Sequence, residues 1–410
     1  MTRTMSRPLT GCSELDAGDH RTGVPRPPVH RLSALRGGLL FGLLATATLA
    51  FGSGTTITTA FSDNDVLVHL PAGAPDTTNA SVQNPAALEQ QLRQYILNAR
   101  QKGDPRFLGY AQSALDRWPE ARMTDGLLLM RATVRQSLHQ FTAARSDLKQ
   151  VLSGTPDRQH RAQATLTLAT LDTVQGQYQE AMERCITLAR LHPGLVAASC
   201  QAQAQARSGQ AEVAYERLKT LTDDTRSPDR DARAWAQGTL ADIAAQLGRA
   251  DAQTHWRLAL AQNPQDLHTR TRLADWLIQH ERYGEALALT RDHVDVDAIA
   301  VLRAIALEAL DDPAAEQARK RLQQRFSEAR WRDDMLHKRD YARYLLDVRH
   351  QPDEALAYAR ENWKDQKEPT DTRLLLRAAL ANEATADLER VIHWLAENNQ
   401  HDARYPEVQR

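Results

Sequence analysis

From Pro85 to near the end of the chain, apolar residues recur at three- and four-residue spacing, the period of an amphipathic helix, and short polar breaks separate the runs. A set of small residues stands in register within this pattern. Ala144, Ala181, Ala214, Ala252 and Ala286 follow one another at intervals of 33 to 38 residues. Ala132, Ala169, Ala202 and Ala274 each lie twelve residues before the matching member, and Ala241 lies eleven before Ala252. A turn falls inside each pair, such as "GQYQ" at 176–179 or "HERY" at 280–283. Pro156, Pro193 and Pro264 come twelve residues after three of the second alanines.

Two antiparallel helices cross closely only where both present small side chains, which accounts for the alanine pairs. Gly176, Gly209 and Gly248 fit the left-handed conformation that ends a helix. Phe141, Tyr178 and Tyr283 fill the wedge past the turn, and proline closes the unit because it cannot donate the next helical hydrogen bond. A hairpin of this size leaves its apolar face open until the next one stacks on it.

On these residues the chain resembles the tetratricopeptide repeat (TPR) family, although the family's tryptophan at the fourth position is missing. Segments such as "GDPRFLGYAQSAL" resemble those of exported TPR proteins of Gram-negative bacteria. The resemblance implies an all-α fold, a right-handed α-solenoid of stacked antiparallel helix pairs. The expected organisation is an irregular helical pair at 85–124, five TPR-like repeats at 125–299, two degenerate repeats at 300–370, and capping helices with a tail at 371–410.

The first 84 residues follow another pattern. Arg26, Arg31 and Arg36 precede an uncharged run, Gly37 to Gly54, whose apolar heart spans Leu39 to Phe51. That length suits a signal-peptide core of about 7–15 residues better than a membrane span of about 20. Residues 1–52 are therefore expected to be a signal peptide or membrane anchor, and the Thr-, Ser-, Gly- and Pro-rich stretch 53–84 a flexible linker. The implied location is the periplasm or cell envelope, with membrane contact only through the N-terminal segment.

Composition narrows the partner little. A formal net charge of −1 gives no electrostatic footprint for nucleic acid. No HExxH, phosphate loop, Rossmann glycine motif or GxSxG occurs, and no cofactor or catalytic set is expected. Asp292, His293, Asp295 and Asp297 cluster, but lack the glycine and closing glutamate of a calcium loop, and read as a solvated linker between units. Cys185 and Cys200 fall on helices that pack together; they either bridge that joint in an oxidising compartment or stay as small buried thiols, and the thiol reading is preferred.

In this family the inner groove is lined by fixed positions of each first helix. Carried onto this sequence, those positions give Gln163, Thr170, Gln203, Asp242, Thr271, Asp275, Gln279, Arg339 and Arg343. Arg339 and Arg343 share one helical face and form a basic pair fit to fork onto an anionic group, unless Arg343 simply pairs with Asp347. The expected function is a non-enzymatic scaffold or adaptor for another protein of the cell envelope. The alternatives are a solenoid enzyme or enzyme subunit acting on the cell wall, and a cytoplasmic TPR regulator.

Overall fold

The computed structural model describes residues 84–224, 229–332 and 335–408. Their regular elements are all helical. They run as α1 (Pro85–Lys102), α2 (Arg106–Asp116), α3 (Asp125–Ser137), α4 (Phe141–Gly154), α5 (Arg158–Val174), α6 (Tyr178–Leu191), α7 (Leu195–Arg207), α8 (Ala211–Asp224) and α9 (Arg230–Gln246). The second half continues with α10 (Ala252–Gln262), α11 (Leu267–Gln279), α12 (Tyr283–Thr290), α13 (Asp297–Ala309), α14 (Ala314–Trp331), α15 (Lys338–Asp347), α16 (Pro352–Asp365), α17 (Pro369–Ala381) and α18 (Thr385–Glu397).

Each odd-numbered helix packs on the even one that follows it and on the next odd one, so the odd helices form one continuous layer. The result is an α-solenoid of stacked helix pairs, TPR-like in period and packing. The alanines set the crossings: Ala132, Ala144, Ala181, Ala214, Ala241, Ala252 and Ala274 are fully buried, and Ala169 and Ala286 nearly so. Short polar side chains start several inner helices. Thr124, Asp157, Asp229 and Asp266 accept from the backbone N–H of Leu127, His160, Ala232 and Thr269, each cap worth about 1 kcal/mol.

The array also folds back on itself. The link between α16 and α17 crosses to the turn between α5 and α6, where the Lys367 N–H donates to the Val174 carbonyl at 2.7 Å and the Tyr178 hydroxyl donates to the Lys367 carbonyl at 3.2 Å. Beyond α18 the tail runs along the ends of α7 and α9. There the Ala403 N–H donates to the Gln246 carbonyl at 2.8 Å, and the Gln246 amide donates to the carbonyls of His401 and Ala206, both at 2.8 Å. The expectation that 371–410 merely caps the last repeat is thus too narrow. The final pair begins at Pro369 and packs on α16 as a cap would, but its flanking segments close contacts with repeats near the middle of the chain.

Turn residues follow this closure. Gly103, Gly176, Gly209 and Gly248 all have positive φ, but so do His139, Glu281, Asp311, His350 and Glu383 in the corresponding turns, with φ of 51–57°. A left-handed turn therefore does not by itself select glycine here. Close approach does. A Cβ on Gly209 would stand 2.8 Å from the Asn399 carbonyl oxygen, one on Gly176 2.7 Å from the Trp394 ring, and one on Gly248 3.1 Å from Ala403 Cβ. On Gly103 it would lie 2.5 Å from Val296 Cγ2. Each of these four glycines sits under a distant part of the chain, whereas Gly194, at φ 127° before α7, faces open space.

The expected signal or anchor segment and linker lie outside the described residues. Among the described residues, no helix is long and apolar enough to cross a membrane.

Candidate functional site

The starts of α11, α13 and α15, the end of α16 and the start of α17 surround a chamber of about 360 Å³, and the turn between α1 and α2 forms a further wall. Its apolar side carries Leu108, Leu267, Val296, Val301, Leu302 and Leu374; its polar side carries Arg272, Lys338, Arg339 and Arg343 with His139 and His337. Arg339 and His337 keep 35% and 37% of their side-chain surface exposed although protein surrounds them, because they face this hollow.

An ion-pair network forms one flank. Asp275 of α11 is 6% exposed and accepts from Arg343 of α15 at 3.1 Å and from Arg373 of α17. Burial opposes its ionisation, but the two guanidiniums outweigh burial and hold its pKa below the usual carboxylate range. Arg343 also pairs with Asp347, which Arg377 grips from α17 at 2.5 and 3.1 Å. Glu368 accepts from Arg272 and Arg339, both at 3.1 Å. Asp371 closes the N-terminus of α17 in a capping box with Glu368 and accepts from Asn362 at 2.8 Å. Burial raises the Asp371 pKa to about 6, while Arg272 and Arg339 overcome burial at Glu368 and lower it.

The sequence-derived groove residues distribute unevenly. Thr271, Asp275, Arg339 and Arg343 line this chamber, and Gln279 donates back to Asp275 at 3.0 Å. The reading of Arg339 and Arg343 as a basic pair open to a partner requires correction. Arg343 takes Asp347, as the alternative had it, and Asp275 besides; Arg339 takes Glu368 and Asp371. Thr170 bonds its own helix through the Leu166 carbonyl at 3.1 Å, Asp242 accepts from the Trp256 indole at 3.3 Å, and Gln203 lies half-buried on α7. Asp297, from the acidic cluster read as a solvated linker, is instead bound by Arg325 at 2.5 Å and by His337 at 3.2 Å.

Gln163 lines a second hollow of about 420 Å³, spread over α5, α7 and α9. Leu166, Val196 and Trp235 are partly exposed there, beside the exposed Gln159 and Asp231. Next to it Cys185 and Cys200 are joined by a disulfide, with Cα atoms 5.5 Å apart. The preference for free thiols is corrected: the helix-pair geometry brings the two positions to bridging distance across the joint of α6 and α7.

Sequence reasoning missed Arg272, Glu368, Asp371 and Arg373. Only "EPTD" at 368–371 carried a local sign, since an acidic residue, Pro at the first helical position and Asp three on mark a helix start.

No family model matches the chain, and no curated protein matches it. Among solved structures it is similar to a Rap protein complexed with competence and sporulation factor, at 14% identity over 77% of this chain and 89% of that one, with a TM-score of 0.48. It is similar to the apo form of the quorum sensor NprR from B. thuringiensis at 10% identity, 76% and 98% coverage, and a TM-score of 0.41. A tetratricopeptide repeat protein from Parabacteroides merdae gives 14% identity, 70% and 99% coverage, and a TM-score of 0.35. At such identities and scores no ligand or activity passes from those proteins to this one.

Proposed function

We propose that this chain is a TPR-like scaffold that holds a segment of another protein, and that it works in the cell envelope after export. The observation that carries the binding reading is the open hollow over α5, α7 and α9. Much of the inner layer elsewhere is engaged by the chain's own C-terminal segments, whereas Leu166, Val196 and Trp235 offer solvent an apolar floor bordered by Gln159, Gln163 and Asp231. An apolar strip with amide donors and acceptors at its border suits an extended peptide segment carrying one large apolar side chain. The Cys185–Cys200 bond supports the export reading, because structural disulfides persist in oxidising compartments.

A photo-crosslinking residue at Gln163, used in intact cells, tests the binding reading. One discrete adduct is expected, and Trp235→Ala should abolish it without changing the melting temperature by more than a few degrees. An adduct that persists in Trp235→Ala, or none at all, overturns the reading. Export is tested separately, by fusing residues 1–60 to a reporter active only outside the cytoplasm; a reporter equally active with Leu43→Arg in the apolar run removes the envelope from the proposal.

A further inference from the structure

Arg100 is the feature of the chamber that neither the repeat nor the closing contacts use. It stands in the last turn of α1 and lines the hollow. Four of the chamber's five Lys and Arg residues have carboxylate partners: Arg272 has Glu368, Lys338 has Glu361, Arg339 has Glu368 and Asp371, and Arg343 has Asp275 and Asp347. The Arg100 side chain has no hydrogen bond or ion pair among the described residues. Solvent reaches it, yet the protein around it lowers its pKa by desolvation, with no anion to oppose the effect. Arg100 is exposed, so water solvates its guanidinium, and among the Lys and Arg residues of the lining it is the one with no carboxylate partner among the described residues.

The rest of the lining limits what completes it. Asp104, Asp275, Asp297 and Asp340 also face the hollow and balance most of its other cations, which leaves little surplus positive charge for a multiply charged anion. The opposite wall is apolar, with Leu108, Leu267, Val301 and Leu302 at hand, and the volume lies within the usual range of small-molecule pockets, about 300–1,000 Å³. The helix starts of α11, α13 and α15 add positive potential without adding full charges. His139, half-buried and beside His337, Arg339 and Lys338, has its pKa lowered to about 4 and stays neutral at physiological pH, so it contributes a hydrogen-bonding ring and no second cation.

We propose that the chamber binds a small monoanionic carboxylate with an apolar body, Arg100 taking the carboxylate in a bidentate contact and the leucine and valine wall taking the body. The proposal stands independently of the scaffold reading, because it uses a different hollow.

The test uses the full chain with phenylacetate as the probe, benzyl alcohol as its uncharged analogue and inorganic phosphate as a second anion, read by calorimetry and thermal melting. Phenylacetate should bind saturably and raise the melting temperature, as a ligand specific to the folded state does; benzyl alcohol and phosphate should do neither. Arg100→Gln should melt as the parent does without ligand, since Arg100 supports no contact, and should bind phenylacetate at least about tenfold more weakly, the loss of one charge-assisted contact. In the parent protein the imidazole signals of His139 should shift with phenylacetate and not with phosphate. No saturable binding up to about 10 mM, the weak end of small-ligand affinity, overturns the proposal. So does equal binding by Arg100→Gln, competition by phosphate, or binding that leaves His139 unmoved.

Discussion

Two sets of turns in this molecule share a backbone conformation and differ in sequence. In one set the left-handed residue is Gly103, Gly176, Gly209 or Gly248; in the other it is Glu281, Asp311, His350 or Glu383, all exposed, or the half-buried His139. The second set accepts the modest strain of a side chain at positive φ. The first set has no such option, since Val296, Trp394, Asn399 and Ala403 occupy the space a Cβ would need. Glycine in these turns thus records where the solenoid touches itself, and the bare requirement for a turn explains much less.

The strongest way to break this comparison is to release the closure electrostatically. Asp275→Ala leaves Arg343 and Arg373 buried without their shared carboxylate, and should cost about 3–5 kcal/mol in chemical denaturation. The pH dependence has a definite sign. The folded-state pKa of Asp275 is depressed below its unfolded value of about 3.9, so its contribution is fully present above that value and is lost as the pH falls toward the folded pKa. Stability of the parent should therefore drop more steeply below about pH 4 than that of Asp275→Asn. Parallel acid profiles for the two proteins would remove Asp275 from the closure.

Single turns sharpen the comparison. Gly209→Ala meets the Asn399 backbone and holds φ at 86°, and should cost about 1–3 kcal/mol. Glu281→Gly, in an uncovered turn, should change stability by less than about 1 kcal/mol, because relief of left-handed strain offsets the added chain entropy. In a chain ending at Asn398 the Gly209→Ala cost should shrink to the backbone part alone. An undiminished cost in that shortened chain would show that the glycine serves only the turn.

The repeat was legible in the sequence because it rests on local rules. An alanine pair twelve residues apart, a turn between and a proline after describe one hairpin, and one hairpin implies the next. The closure was not legible because its partners are remote and aperiodic. Nothing near Arg373 signals Asp275, 98 positions away, and nothing near Gln246 signals the tail at His401 and Ala403. The inner positions of Asp275, Arg339 and Arg343 followed from family spacing, but their availability to a partner did not, since spacing says where a side chain lies and not what else has reached it. The glycines held the missing hint. Glycine stands in three successive turns, at 176, 209 and 248, and Glu, Asp or His takes the same place from 281 onward, and that change within one repeat series marks crowding from outside the repeat.

The smallest effect compares two histidines of the same chamber. Burial lowers the pKa of His139 to about 4, helped by His337, Arg339 and Lys338. At His337 burial acts the same way, but the bond to Asp297 and the nearby Asp340 overcome it and raise the pKa. Against an unfolded value of about 6.5 the two therefore pull stability in opposite directions. The His337 contribution is full below that value and is lost as pH rises through the folded pKa; the His139 contribution is full above it and is lost as pH falls toward about 4. In an NMR titration the His337 ring should change above about pH 6.5 and the His139 ring near pH 4. Asp297→Asn should move the His337 midpoint downward and leave His139 nearly in place. If both rings titrate together near the unperturbed value, the chamber is open to bulk water and the α1–α2 turn does not close over it.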